Sequence, residues 1–163
     1  MTIAFEPMRE EHVPPLTAIF NHYVEHSTSL FVTQPIGGDE MRAMLFFEDP
    51  RHAAFAVLAD GTLAGYVSLH SHRPRAAYWD TADITIFLAP AYTGRGIGPQ
   101  AIEFIEAYAR EQGFHALLAS IAGGNTASVR LFEKLGYARA GHLKEIGYKH
   151  DQWLDVFWYE KIL

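Results

Sequence analysis

The stretch YTGRGIGPQ, residues 92–100, places three glycines and an arginine between a β-rich segment and a helical one. Glycine allows a positive φ and also lets a ligand approach the main chain, so this pattern is typical of tight turns and of phosphate-binding loops. The segment 81–90 before it, TADITIFLAP, predicts a strand. The segment 99–113 after it, PQAIEFIEAYAREQG, predicts a helix that begins at Pro99 and ends at Gly113. The turn therefore leads into a helix N-terminus, where free N–H groups and the helix dipole favour an anion.

Two familiar phosphate-binding motifs do not fit this turn. The dinucleotide fingerprint requires a glycine at position 99, which is Pro99, and usually lies in the first βαβ unit. The phosphate loop of nucleotide hydrolases ends in Gly-Lys-Ser/Thr, which the sequence lacks. Taken alone, the turn leaves two interpretations open: a phosphate cradle made by the N–H groups from Gly94 to Gly98, or a structural turn.

The overall composition limits the classes of protein that the chain can represent. Its 163 residues, 49 % of them hydrophobic, predict a single domain spanning residues 1–163. A formal net charge of −6 argues against a nucleic-acid or anionic membrane surface, since both require basic patches. The absence of cysteine excludes disulfides, thiolate metal sites and a cysteine nucleophile. Because the sequence shows neither a secretory leader nor an apolar run of membrane-spanning length, we expect a cytoplasmic protein.

Other segments predict the strands and helices around the turn. Residues 13–26 carry apolar side chains at helical spacing, a second helix is expected with Asp39 as its N-cap, and Asp60-Gly61 is typical of a hairpin turn. The remaining expected elements are strands at 3–8, 114–122, 137–146 and 152–161, and a short helix capped by Asn125 and ended by Gly136. This order predicts an α/β (α+β) fold with a sheet that is at least partly antiparallel.

A second segment makes the glycine turn more specific. GGNTASVRLFEKLGY, residues 123–137, pairs the capping Asn125 with Ser128 at the start of a short helix. In this order and spacing, the two stretches resemble the GNAT superfamily of N-acetyltransferases, in which a Q/R-x-x-G-x-G/A turn holds the pyrophosphate of coenzyme A. Residues 93–98 match that pattern, with Thr93 in place of the usual Gln or Arg. The resemblance favours the phosphate cradle over the structural turn.

Three further stretches look like one branch of that superfamily, the phosphinothricin and methionine sulfoximine N-acetyltransferases. They are IFNHYVEHSTSLF (19–31), RAAYWDTADITIFLAP (75–90) and GYKHDQWLDVFWYEK (147–161). The resemblance implies a GNAT fold, with a mixed, mostly antiparallel central sheet flanked by helices and acyl-CoA in a splay between central strands. It also implies acetylation of the α-amine of a small amino-acid-like compound, by direct attack on acetyl-CoA in a ternary complex and without a metal.

The resemblance also assigns cofactor-binding positions. Leu88 is expected to be catalytic through its N–H, which would stabilise the oxyanion that forms on the thioester. The residues expected to bind the cofactor are Ile86, Phe87, Leu88, Thr93, Gly94, Arg95, Gly96, Ile97, Gly98, Pro99, Asn125 and Ser128. Most of these roles belong to main-chain atoms, so side-chain identity alone does not reveal them.

The proton-transfer positions depart from the branch in two places. Asp83 stands where the branch has Glu, and the resemblance makes it the base or water-bridged proton acceptor. Phe132 stands where the superfamily has a Tyr that serves as general acid and where the branch has His. A phenyl ring cannot donate a proton.

The resemblance also assigns residues to the substrate site. They are Asn21, Phe31, Arg73, Arg75, Tyr78, Thr85 and His150. Of these, Arg75 is suited to a substrate carboxylate.

Three alternative functions remain open at this point. HYVEH, from His22 to His26, fits a short zinc-peptidase pattern, although no distant third ligand is identifiable. A GNAT fold that only senses acyl-CoA, and one that acetylates a protein or peptide, are the other two.

The aromatic tail suggests a homodimer. It carries Trp153, Phe157, Trp158 and Tyr159, and contiguous exposed aromatic surface is uncommon in monomers.

Overall fold

The computed structural model describes residues 1–163 and contains seven strands and four α-helices. The strands are β1 (Ile3–Pro7), β2 (Ala53–Ala59), β3 (Thr62–Ser71), β4 (Thr81–Leu88), β5 (Ala116–Ala122), β6 (Ala138–Lys149) and β7 (Gln152–Ile162). The helices are α1 (Val13–His26), α2 (Gly38–Leu45), α3 (Ile97–Glu111) and α4 (Thr126–Lys134). None of these helices is long and apolar enough to cross a membrane.

All seven strands form one sheet in the order β1-β2-β3-β4-β5-β7-β6. Every neighbouring pair is antiparallel except β4 and β5, which run parallel because α3 crosses between them. At the β2–β3 hairpin, Asp60 and Gly61 have φ values of 49° and 78°, as two-residue turns of this kind require. The predicted mixed and mostly antiparallel sheet is confirmed.

The two faces of the sheet bury separate cores. One face packs against α3, with Ile102 and Ile105 fully buried beside Leu117 of β5. The other face packs against α1 and α2, where Leu16 and Met41 are fully buried. Side chains of β4 alternate between the two cores because successive residues of a strand point to opposite faces. This alternation places β4 at the centre of the molecule, with both of its faces in use.

Three predicted element boundaries were wrong. Helix α2 begins at Gly38 with Gly37 as its N-cap, so Asp39 lies inside the first turn. The helix dipole stabilises its negative charge there. Helix α3 begins at Ile97 rather than Pro99. The proline is tolerated at the third position because the first N–H groups of a helix have no intrahelical acceptor. Strand β6 continues to Lys149 rather than ending near residue 146.

Candidate active site

The sheet opens at its centre, between β4 and β5. Their parallel pairing covers only Thr81 to Asp83 on β4 and Ala116 to Leu118 on β5. Beyond that point β5 remains paired with β7 as far as Ala122, whereas β4 continues without a partner on this side. The two strands therefore diverge, and the second half of β4 presents an unpaired edge.

This edge forms one wall of a groove of about 720 Å³. The other walls come from the C-terminal part of α1, the glycine turn with the start of α3, the second half of β5, and α4. Ten of the residues expected at the cofactor site line the groove: Ile86, Phe87, Leu88, Thr93, Gly94, Gly96, Gly98, Pro99, Asn125 and Ser128. The fold thus brings together segments that lie far apart in the sequence.

Main-chain groups of β4 alternate between the groove and β3. The Ala89 N–H donates to the Ala64 carbonyl oxygen at 2.7 Å, and the register with β3 is uniform along the whole of β4. In an antiparallel pair of uniform register, every second residue directs both its main-chain groups at its partner. The N–H and C=O groups of Ile86 and Leu88 therefore face the groove, whereas those of Phe87 face β3.

The glycine turn supplies the N-terminal end of α3. Gly94 and Gly96 have φ values of 69° and 77°, a conformation that side-chain-bearing residues rarely adopt, so these two glycines are required by the backbone. The side chain of Ile97 is fully buried, and Arg95 packs its guanidinium 5.7 Å from the Tyr92 ring centre, outside the groove. Only main-chain groups of these two residues are placed to serve the cradle.

The α4 wall contains the position of the missing acid. Asn125 accepts a hydrogen bond from the Ser128 N–H at 3.2 Å, which confirms it as the N-cap of α4. Phe132 also lines the groove, but its ring is only 3 % exposed and packs edge-on against Tyr137 with centroids 5.0 Å apart. This wall therefore supplies a helix cap and an apolar surface and no acidic group at position 132.

Tyr23 on α1 is a groove residue that sequence reasoning did not identify. Its hydroxyl donates to the Leu88 carbonyl oxygen at 2.6 Å, and burial raises the pKa of the phenol, which keeps its proton. The contact spans 65 positions of the chain, so no local sequence pattern indicates it. Tyr23 fixes α1 to the unpaired edge of β4, next to the N–H proposed as the oxyanion donor.

Asp83 lies at the closed end of the splay and is paired with a histidine. Its Oδ1 is 2.8 Å from Nδ1 of His72, in the loop just after β3. Burial raises the pKa of Asp83 above its usual value, and the hydrogen bond and charge of His72 oppose that rise. The His72 ring in turn contacts the rings of Tyr78 and Trp158 edge-on, at 5.4 and 5.6 Å.

A side cavity of about 710 Å³ adjoins the groove. It lies between β3, β4 and the helices α1 and α2, and shares Thr85 and Phe87 with the groove. Its walls are mainly apolar, with Glu48, Asp49 and His52 among the polar members, and neither lysine nor arginine lines it. The Thr85 hydroxyl is 3.1 Å from Nε2 of His70, which fixes both side chains at the junction.

The other expected substrate residues are not gathered in either cavity. The Asn21 side chain makes two hydrogen bonds with the main chain of Ile36, so its amide holds the loop before α2. Phe31 packs against Gly147, and His150 is exposed in the β6–β7 turn. The arginines Arg73 and Arg75 are exposed in the loop after β3.

Lys149 is a second functional candidate that sequence reasoning missed. Only 3 % of it is exposed, and its Nζ donates to the carbonyl oxygens of Tyr23 and Leu30 at 3.3 and 2.6 Å. Burial lowers the pKa of this ammonium. Lys149 thus ties the end of α1 and the loop after it to β6, and that loop borders both cavities.

The zinc alternative has no support in the arrangement of side chains. The rings of His22 and His26 are 4.9 Å apart and line the groove. No group of three or more His, Cys, Asp or Glu side chains is placed to hold a metal ion.

Comparison with known proteins identifies the family. The sequence profile described as "Acetyltransferase (GNAT) family" matches residues 7–137, most of the chain. The chain belongs to the GNAT acetyltransferase family. The resemblance inferred from the glycine turn and the α4 segment is therefore confirmed, and so is the GNAT fold.

Relatives of this GNAT acetyltransferase carry the names of the expected branch. A phosphinothricin N-acetyltransferase of Streptomyces coelicolor is 33 % identical over 99 % of this chain and 96 % of its own. An L-methionine sulfoximine/L-methionine sulfone acetyltransferase of Pseudomonas aeruginosa is 28 % identical over 88 % of this chain and 85 % of its own. A solved structure also matches, that of a GNAT superfamily phosphinothricin acetyltransferase from Sinorhizobium meliloti in complex with acetyl-CoA. It superimposes on this chain with a TM-score of 0.94 at 25 % identity, and the match covers 100 % of this chain and 89 % of that one.

Proposed function

We propose that this enzyme uses acetyl-CoA to acetylate the α-amine of a small amino-acid-like compound of the methionine sulfoximine, methionine sulfone or phosphinothricin type. The observation that carries the proposal is the splay of β4 and β5, which leaves a free main-chain edge opposite a glycine turn at a helix N-terminus. The names of the S. coelicolor and P. aeruginosa relatives support the class of acceptor.

In the proposed arrangement, two walls of the groove have separate tasks. The N–H groups at the start of α3 hold the pyrophosphate, because unpaired helix donors and the helix dipole attract an anion. The edge of β4 pairs with the pantetheine arm, and the Leu88 N–H stabilises the oxyanion that forms when the amine attacks the thioester. Direct attack requires both reactants to be bound together, and the shared residues Thr85 and Phe87 provide that contact between the two cavities.

The side cavity is the proposed site of the acceptor side chain. Since no lysine or arginine lines its walls and two carboxylates do, an acceptor with a neutral side chain is favoured over one with a phosphinate. The charge of Arg73 acts on Asp83 and partly opposes the rise that burial causes in the pKa of that carboxyl, so a cation is available outside the cavity for the α-carboxylate of the acceptor. We therefore rank methionine sulfone and methionine sulfoximine above phosphinothricin as substrates.

The test is thiol release from acetyl-CoA by the purified protein across a panel of amines. The panel contains methionine sulfoximine, methionine sulfone, phosphinothricin, ordinary amino acids, polyamines and a lysine-rich peptide. We expect turnover to be confined to the amino-acid-like compounds and to fall at least tenfold in Arg73→Ala or Arg75→Ala. Turnover of the peptide alone would move the function to protein acetylation. Acetyl-CoA binding without any turnover would favour the sensor.

We also propose a homodimer formed through the β6–β7 hairpin. This hairpin exposes Leu143, Ile146, Tyr148 and Trp153, of which Trp153 is 64 % exposed. Tyr159 does not belong to this surface, because it is fully buried in the core of its own chain. Sedimentation velocity should give a dimer mass for the wild type and a monomer mass for Trp153→Glu. A monomer mass for the wild type at every concentration would contradict the proposal.

A further inference from the structure

The pair formed by Asp83 and His72 is arranged as a carboxylate–histidine dyad. The two side chains lie 2.8 Å apart, Oδ1 to Nδ1, and belong to β4 and to the loop after β3. His72 is 9 % exposed and Asp83 30 % exposed at the side chain, so their hydrogen bond is largely shielded from solvent. A shielded carboxylate holds the ring in the tautomer with the proton on Nδ1, which leaves Nε2 with a free lone pair.

The Nε2 atom of His72 remains available. Within the chain His72 makes a single side-chain hydrogen bond, the one to Asp83. The only fully buried side-chain polar atoms without a partner are Arg51 Nε and Tyr137 OH, so Nε2 of His72 is not fully buried. An imidazole nitrogen that is oriented, unpaired and accessible is the arrangement that general bases use.

Asp83 lies on the face of β4 that also carries Thr85. Side chains two apart on a strand share a face, so Asp83 projects on the same side as Thr85, which joins the groove to the side cavity. Asp83 is one methylene shorter than the Glu of the branch that the sequence resembles, and one of its oxygens is engaged by His72.

We propose that His72 is the catalytic base of this enzyme and that Asp83 is the residue that positions it. The inference rests on the proposed transfer to an amine. His72 Nε2 takes one proton from the substrate ammonium, and the nitrogen lone pair then attacks the thioester carbonyl carbon. The C–N bond forms as the carbonyl π bond opens to the oxyanion. When the carbonyl re-forms, the C–S bond breaks and the thiolate leaves with the electron pair of that bond. The thiolate takes up the second proton lost by nitrogen, and His72 returns the first to solvent.

The charged and titratable neighbours of the dyad are few. His70 on β3 and Arg73 in the loop after it act on Asp83 electrostatically, and Tyr78 contacts the His72 ring, as does the uncharged Trp158 of β7. None of these is a carboxylate, so Asp83 is the group that holds His72. Only a neutral imidazole can accept the proton of the substrate ammonium.

The test combines a variant with chemical rescue. In His72→Ala we expect kcat to fall about 10²–10⁴-fold, with the Kd of acetyl-CoA unchanged and part of the activity restored by free imidazole. His115→Ala, which removes an exposed histidine in the loop between α3 and β5, is the matched control and should retain wild-type kinetics. A His72→Ala enzyme with kcat within threefold of wild type would overturn the proposal.

A measurement without substrate separates this inference from the proposed function. Nitrogen-15 NMR of the imidazoles, with the His72 signals assigned by their loss in His72→Ala, reports which ring nitrogen carries the proton. We expect the proton on Nδ1 in the wild type and a changed tautomer balance in Asp83→Asn. A proton on Nε2 in the wild type would overturn the dyad proposal, and this result does not depend on whether any amine of the panel is a substrate. Absence of turnover with the expected tautomer would instead count against the proposed acceptors.

Discussion

Replacing Gly65 by alanine should disable the enzyme by moving the strand that carries the reactive edge. Gly65 on β3 lies opposite Leu88. A Cβ at this position would be 1.9 Å from the Phe87 carbonyl oxygen and 2.9 Å from the Leu88 Cα, and Cβ atoms do not occur closer than 3.0 Å to other heavy atoms. The atoms in the way belong to the backbone, so no side-chain rotation relieves the contact. β4 must retreat by about 1 Å or β3 must bend, and such displacement costs about 1–3 kcal/mol of stability.

The kinetic loss, expressed as a free energy, should be comparable to the loss of stability. An error of about 1 Å in the position of reacting groups lowers the rate about 10²-fold, so we expect Gly65→Ala to reduce kcat/KM by roughly that factor. The assays are steady-state kinetics, calorimetry with acetyl-CoA and urea denaturation. Gly38→Ala is the control, because its nearest atoms would be 3.9 Å away. A folded Gly65→Ala protein with kcat and acetyl-CoA affinity within threefold of wild type would refute the role given to the Leu88 main chain.

Two other substitutions test the cavities. Ala43→Phe, at an exposed position of α2 that lines the side cavity, should raise the KM of the amine at least tenfold without changing the Kd of acetyl-CoA. The control is Ala107→Phe on the exposed face of α3. Equal effects from both variants would contradict the assignment of the side cavity to the acceptor. Phe132→Tyr should change kcat by less than about tenfold if catalysis depends on positioning and a base, whereas a 10²-fold rise would show that protonation of the thiolate limits the rate.

Local sequence predicted which helices form more accurately than it predicted the residues at which they begin. The α1 and α4 helices followed from apolar spacing and from the Asn125 cap, because those signals involve residues within one or two helical turns. The start of α3 was misplaced by two residues. A proline at the third helical position is as acceptable as one at the first, so the position of Pro99 does not fix the start, which depends on the left-handed φ of Gly96.

The sequence by itself determined the family, the class of fold and the glycine turn, since each depends on a motif of contiguous residues whose backbone requirements are local. Only the tertiary structure decided which groups meet at the groove. The Tyr23–Leu88 contact spans 65 positions, and the Lys149 contacts with Tyr23 and Leu30 span 126 and 119. The His72–Asp83 pair spans 11 residues and depends on how β3 and β4 align. Strand register and helix docking bring such groups together, and both are set by burial of the two cores, which no local pattern encodes.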